Sequence, residues 1–83
     1  MSRSKPISSH NIDRYIQLGL NVSYYRKLRG YTQEQLAERA GISRSHISAI
    51  EAPNIVKTIS IELLFDLADA LETEPFHLLE FRE

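Results

Sequence analysis

Residues 32–52 read TQEQLAERAGISRSHISAIEA. Leu36, Ala37 and Ala40 set apolar side chains three or four apart, the period of an α-helix, and Ile47 and Ile50 repeat that spacing beyond Gly41. Thr32 stands where its hydroxyl caps the first turn, and Gln35, three residues on, completes the pattern of a capping box. Gly41 follows at the position where the backbone must turn left-handed, which glycine does without steric cost. Ser43 is a good N-cap for the second pattern, and Pro53 ends it by excluding Ala52 from regular helix. The stretch predicts two short helices joined by a tight turn, with Ile42 buried in the turn.

The same period extends in both directions. Ile12, Tyr15, Ile16, Leu18, Val22, Tyr25 and Leu28 predict a first helix from about Asn11 to near Gly30. After the loop APNIVKTI (52–59), in which Ile55 and Ile59 are expected against the core, Ser60 caps a fourth helix, IELLFDLADALE (61–72). Leu63, Leu64, Leu67, Ala68 and Leu71 form its apolar face, away from Asp66, Asp69 and Glu72. Pro75, tolerated in a first turn, opens a short fifth helix carrying Phe76, Leu78, Leu79 and Phe81. Residues 1–10 are polar, contain Pro6, show no period and read as a flexible tail, with Arg3 and Lys5 available to a polyanion. The expected architecture is all-α: five helices and no strand in a single domain over residues 11–83.

Eighty-three residues support one core, and 42 % apolar with 25 % charged residues is a globular balance. The chain has no cysteine, so a disulfide framework and a thiolate metal site are both excluded. No apolar run reaches the roughly 18 residues of a membrane span, and MSRSKPISSH lacks the apolar segment of a signal peptide. These features predict a cytoplasmic protein with no membrane contact.

The net charge of −1 conceals a division along the chain. Residues 1–50 hold eight bases against three acids, whereas residues 51–83 hold two bases against eight acids. On this count the first half is expected to supply a positive surface, and the second half to face away from any polyanion.

Gln33, Ala37, Gly41, Ile47 and Ile50 occupy relative positions 1, 5, 9, 15 and 18 of a helix-turn-helix: Ala37 is small where the helices cross, Gly41 turns the chain, and Ile47 and Ile50 seat the second helix. With the segment YRKLRGYTQEQLAERAGISRSHISAIE (25–51), the chain resembles the Cro/C1-type, or xenobiotic-response-element-type, helix-turn-helix family of transcriptional regulators from about Leu18 to Leu79. The resemblance implies a compact, lambda-repressor-like bundle of five helices that binds double-stranded operator DNA as a homodimer. It implies a structural salt bridge between Arg26 and Glu51, and phosphate contacts near Thr32 and Gln33. The helix that follows Ser43 then enters the major groove, placing Arg44, Ser45 and Ser48 at base edges and Ala49 against a thymine methyl. Ser43 and His46 are expected beside phosphates. The chain departs from the family at APNIVKTI, where Asn54 and Lys57 are the expected phosphate partners, and at Glu72, which replaces a common glycine. Ile55, Phe76, Leu79 and Phe81 are candidates for a dimer interface.

Other functions have less support. His10, His46 and His77 lie in separate segments without ligand spacing, so neither a metal nor another cofactor is expected. No Ser/His/Asp set, catalytic carboxylate pair or phosphate-cradling glycine loop points to an enzyme. The alternative is a protein-interaction module, such as the antitoxin of a toxin–antitoxin pair or a co-regulator, whose tail or last two helices hold another protein.

Overall fold

The computed structural model describes residues 6–81 and, within them, five α-helices and no strand. Helix α1 spans Ser9–Leu28, starting two residues ahead of the apolar pattern because the Ser8 carbonyl already accepts the N–H groups of Asn11 and Ile12 at 2.9 and 3.2 Å. The tail residues Arg3 and Lys5 lie outside the described residues. Helix α2 spans Gln33–Ala40 and begins with the full capping box: the Gln35 N–H donates to Thr32 Oγ1 at 3.0 Å, and the Thr32 N–H donates to Gln35 Oε1 at 2.8 Å. Gly41 takes φ 76°, and the Ile42 N–H reaches back to the Ala37 carbonyl at 3.0 Å, which closes the turn. Helix α3 spans Arg44–Glu51, capped by Ser43 Oγ, which accepts the His46 N–H at 3.1 Å, and it stops where Ala52 is extended before Pro53.

Helix α4 spans Ile61–Ala70, capped by Ser60, and helix α5 spans Pro75–Leu78. The apolar pattern of α4 runs on to Leu71, yet the helix ends earlier because Glu72 sits in the left-handed region at φ 56°. That conformation is disfavoured for a residue with a Cβ. It is held from outside: Arg29 donates to the Leu71 and Glu72 carbonyls at 2.7 and 2.8 Å, and Arg39 donates to the Ala70 carbonyl at 3.2 Å. Two guanidinium groups thus cover the negative end of α4. The Glu72 carboxylate accepts the Tyr31 hydroxyl at 2.9 Å and Arg39 at 3.3 Å. The hydrogen bond to Glu72 keeps the Tyr31 proton in place and, with burial adding, raises its pKa above the ordinary tyrosine value.

The core gathers Leu18 and Val22 of α1, Leu36 and Ala37 of α2, Ile47 and Ile50 of α3, Leu64, Leu67 and Ala68 of α4, Leu71 and Leu78. Ile59 packs against it, but Ile55 does not: the turn closed by its own N–H on the Ala52 carbonyl leaves the side chain exposed. Phe81, by contrast, is half-buried against the core rather than exposed. Gly19 lets α1 meet α3 closely, since a Cβ there would run into the Ile50 carbonyl oxygen.

Candidate nucleic-acid interface

Helix α3 presents two faces. Ile47 and Ile50 are fully or nearly fully buried, whereas Arg44, Ser45 and Ser48 are exposed on the other side and Ala49 is half-buried at the margin. Among the described residues Arg44 makes no hydrogen bond or ion pair, so its guanidinium has all its donors available. The Ser45 hydroxyl lies 3.1 Å from that of Ser43, which also caps the helix. His46 is half-buried, and Asn54 and Lys57 are exposed on the loop after α3.

The start of α2 meets the end of α3. The Gln33 Nε2 group donates to Glu51 Oε1 at 3.1 Å. Arg26 of α1 grips the same carboxylate with two parallel bonds, Nε to Oε2 at 2.8 Å and Nη2 to Oε1 at 3.0 Å, while its Nη1 donates to the Tyr31 carbonyl at 2.7 Å. The Arg26 and Glu51 side chains are only 11 % and 5 % exposed, so this ion pair is buried. It is the structural bridge that the resemblance implied. The contact of Gln33 with Glu51 was not legible beforehand, because it joins residues of different helices. Thr32 is exposed with its hydroxyl oxygen accepting from Gln35, and the amide N–H groups of Gln33 and Glu34 have no partner inside the helix.

The charge division reads differently in three dimensions. Of the eight bases in residues 1–50, Arg26 is spent on Glu51, and Arg29 and Arg39 on the end of α4. Arg39 also lies 4.7 Å over the Tyr31 ring, and Arg14 donates to Asn11. Among the described residues the cations without a hydrogen-bonding partner are Lys27, Arg44 and Lys57. Lys27 and Arg44 of the first half and Lys57 of the second therefore keep every donor available, and counting bases along a chain does not reveal which ones fold back on carbonyls or carboxylates.

Among the described residues no three His, Cys, Asp or Glu side chains gather as metal ligands, and no helix is long and apolar enough to cross a membrane.

A helix-turn-helix family model matches residues 22–78. The chain is 35 % identical over 63 residues to the HTH-type transcriptional regulator SinR of Bacillus subtilis, covering 76 % of this chain and 56 % of that protein. It is 37 % identical over 62 residues to the control protein C.SmaI of Serratia marcescens, covering 75 % and 71 %. The chain spans little more than half the length of the SinR relatives. A solved structure of SinR in complex with DNA superposes with a TM-score of 0.70 at 35 % identity, covering 76 % of this chain and 98 % of that one. A complex of SinR with the SinI protein superposes with 0.69 at the same identity, covering 76 % and 60 %. On its capped helix pair, its buried Arg26–Glu51 bridge and these matches, the chain belongs to the Cro/C1-type helix-turn-helix family of transcriptional regulators.

Proposed function

We propose that this chain is a sequence-specific DNA-binding transcriptional regulator, a repressor, that works in the cytoplasm as a homodimer by binding rather than catalysis. The observation that carries the reading is the outer face of α3, where Arg44, Ser45 and Ser48 stand exposed on a helix seated by Ile47 and Ile50. Helix α3 enters the major groove and Arg44 takes O6 and N7 of a guanine, with Ser45, Ser48 and Ala49 at neighbouring base edges. Thr32, Gln33, Ser43, His46, Asn54 and Lys57 contact phosphates. At the start of α2 the unpaired N–H groups of Gln33 and Glu34 join them, since a helix N-terminus favours an anion. Ile55, Phe76 and Leu79, all exposed, supply apolar surface for the second copy. The similarity to SinR, whose solved structure contains DNA, supports the same partner here.

Selection of bound sequences from a random DNA pool tests this reading. The expected result is a two-fold-symmetric consensus whose half-sites lie about one helical turn apart, 34–36 Å; no enrichment at modest salt overturns it. Arg44→Ala is then expected to weaken the preferred site by about 1–3 kcal/mol more than random DNA. Equal losses on both would place Arg44 on phosphate alone. Gln33→Ala is expected to weaken all sequences alike, and a changed preference would remove Gln33 from the phosphate set.

A second reading, action through a protein partner, is favoured by Leu20, Tyr24 and Leu28, which stand exposed one turn apart along α1 and have no place in the DNA contact. Mobility-shift assays with and without a co-purified protein separate the two readings: a chain that shifts no DNA by itself yet retains one specific protein supports the second.

A further inference from the structure

We propose that Glu51 is a positioning residue for the DNA contact: held by Arg26, its carboxylate fixes the Gln33 side-chain amide in the orientation that binds phosphate. The inference rests on the proposed role of Gln33 and adds to it a second duty for a residue otherwise assigned to the fold alone.

The geometry is a closed run of polar contacts around the start of α2. It passes from the Tyr31 carbonyl, just before the cap, through Arg26 of α1 to Glu51 at the last turn of α3, and from there to Gln33 at the first position of α2. Glu51 Oε1 receives both Arg26 Nη2 at 3.0 Å and Gln33 Nε2 at 3.1 Å. The chemistry of that oxygen decides which way the amide turns. A glutamine amide has a donor end and an acceptor end of nearly the same shape, whereas an ionised carboxylate only accepts. Facing Glu51, the amide must therefore present its NH2 group. One N–H is taken by the carboxylate, and the second makes no hydrogen bond among the described residues.

Two consequences favour phosphate binding. A glutamine gives up much rotamer freedom when immobilised, and here most of that freedom is gone before DNA arrives. The negative charge of Glu51 does not repel the incoming anion, because the two bonds from Arg26 neutralise it at close range. The end of the base-reading helix and the phosphate contact at the start of α2 are then coupled through one buried carboxylate.

A double-mutant cycle on DNA affinity tests the coupling, with the duplex recovered from the random pool and with Gln33→Ala, Glu51→Gln and the pair combined. Circular dichroism sets a temperature at which every variant is folded. In the Glu51 background Gln33→Ala is expected to cost roughly tenfold in affinity, and in the Glu51→Gln background, where the neutral amide no longer dictates orientation, less than about threefold. Equal losses in both backgrounds would leave Gln33 as a phosphate ligand and remove the positioning role from Glu51. No loss in either background would remove the phosphate role of Gln33 as well. A measurement on the unaltered chain guards against a variant that fails to fold. The Gln33 side-chain NH2 should give order parameters close to those of the backbone in free protein and change little on adding the duplex, whereas a freely averaging NH2 in the free protein would overturn the proposal.

Discussion

Gly19→Ala is expected to lower stability by about 3 kcal/mol, which for a domain of this size is a fall in Tm of roughly 12–24 °C. The sign is the informative part. In an ordinary helix interior the same change gains about 1 kcal/mol, because alanine gives up less backbone freedom than glycine. Here a Cβ would collide with the Ile50 carbonyl oxygen and stand 3.1 Å from its carbonyl carbon and 3.6 Å from the Glu51 Cα. These are backbone atoms of α3, which cannot swing aside as the end of a long side chain does. Relief requires α1 to back away from α3, which opens space around Leu18, Val22, Ile47 and Ile50. Gly41→Ala is the control. Gly41 has φ 76° and nothing within 4 Å of an added Cβ, so it carries only the left-handed penalty of about 1–2 kcal/mol. Urea denaturation of the three proteins gives the comparison. A Gly19→Ala variant as stable as the parent would mean that the two helices do not approach as closely as described. The defect should also reach function, since Arg26 lies two turns along α1 from Gly19 on the same side and would be drawn away from Glu51.

The parts of this structure that could be read from the chain are those decided within three or four residues. Thr32 with Gln35, Ser43 with the His46 N–H, Ser60 with the Leu63 N–H, and the left-handed turn at Gly41 all form as their spacing predicts. What escaped reading depends on partners far along the chain. Gly19 looks like a weak point in a helix until Ile50, thirty-one positions on, supplies the reason. Arg29 and Arg39 count as free cations until α4 offers them its last carbonyls. The early end of α4 has the same origin: the apolar pattern continues, but Glu72 is drawn into a left-handed turn by contacts from Arg29, Tyr31 and Arg39. Ile55, expected against the core as well as counted for a dimer interface, is exposed, and Phe81, counted for that interface, packs on the core, because hydropathy shows that a side chain is apolar and not whether a turn carries it inward. Within the candidate site the side on which each residue of the helix pair stands could be read from its register. The contact between Gln33 and Glu51 was not, because it depends on how α2 and α3 cross.

Arg26→Ala is expected to cost about 3–5 kcal/mol, which is most of the stability of a small domain at the low end of the usual 5–15 kcal/mol. The loss comes less from the attraction removed than from what stays behind. Without the guanidinium, Glu51 keeps a desolvated carboxylate whose remaining side-chain donor is the Gln33 amide, and the Tyr31 carbonyl loses its 2.7 Å partner. Replacing both members, Arg26→Met with Glu51→Leu, removes the stranded charge and should recover at least half of the loss, because a buried ion pair can be exchanged for apolar packing of similar volume. Chemical denaturation of the single and double variants measures this. A single variant that loses under about 1 kcal/mol would behave as an exposed pair does, and would show that water reaches the carboxylate. The double variant also separates folding from DNA binding. It keeps α3 seated through Ile47 and Ile50, so a recovered fold with weakened affinity across all DNA sequences would show that the buried pair is needed for more than stability. Full recovery of both would assign the pair to the fold alone, and with it would go the reason for an acidic residue to close the helix that reads DNA.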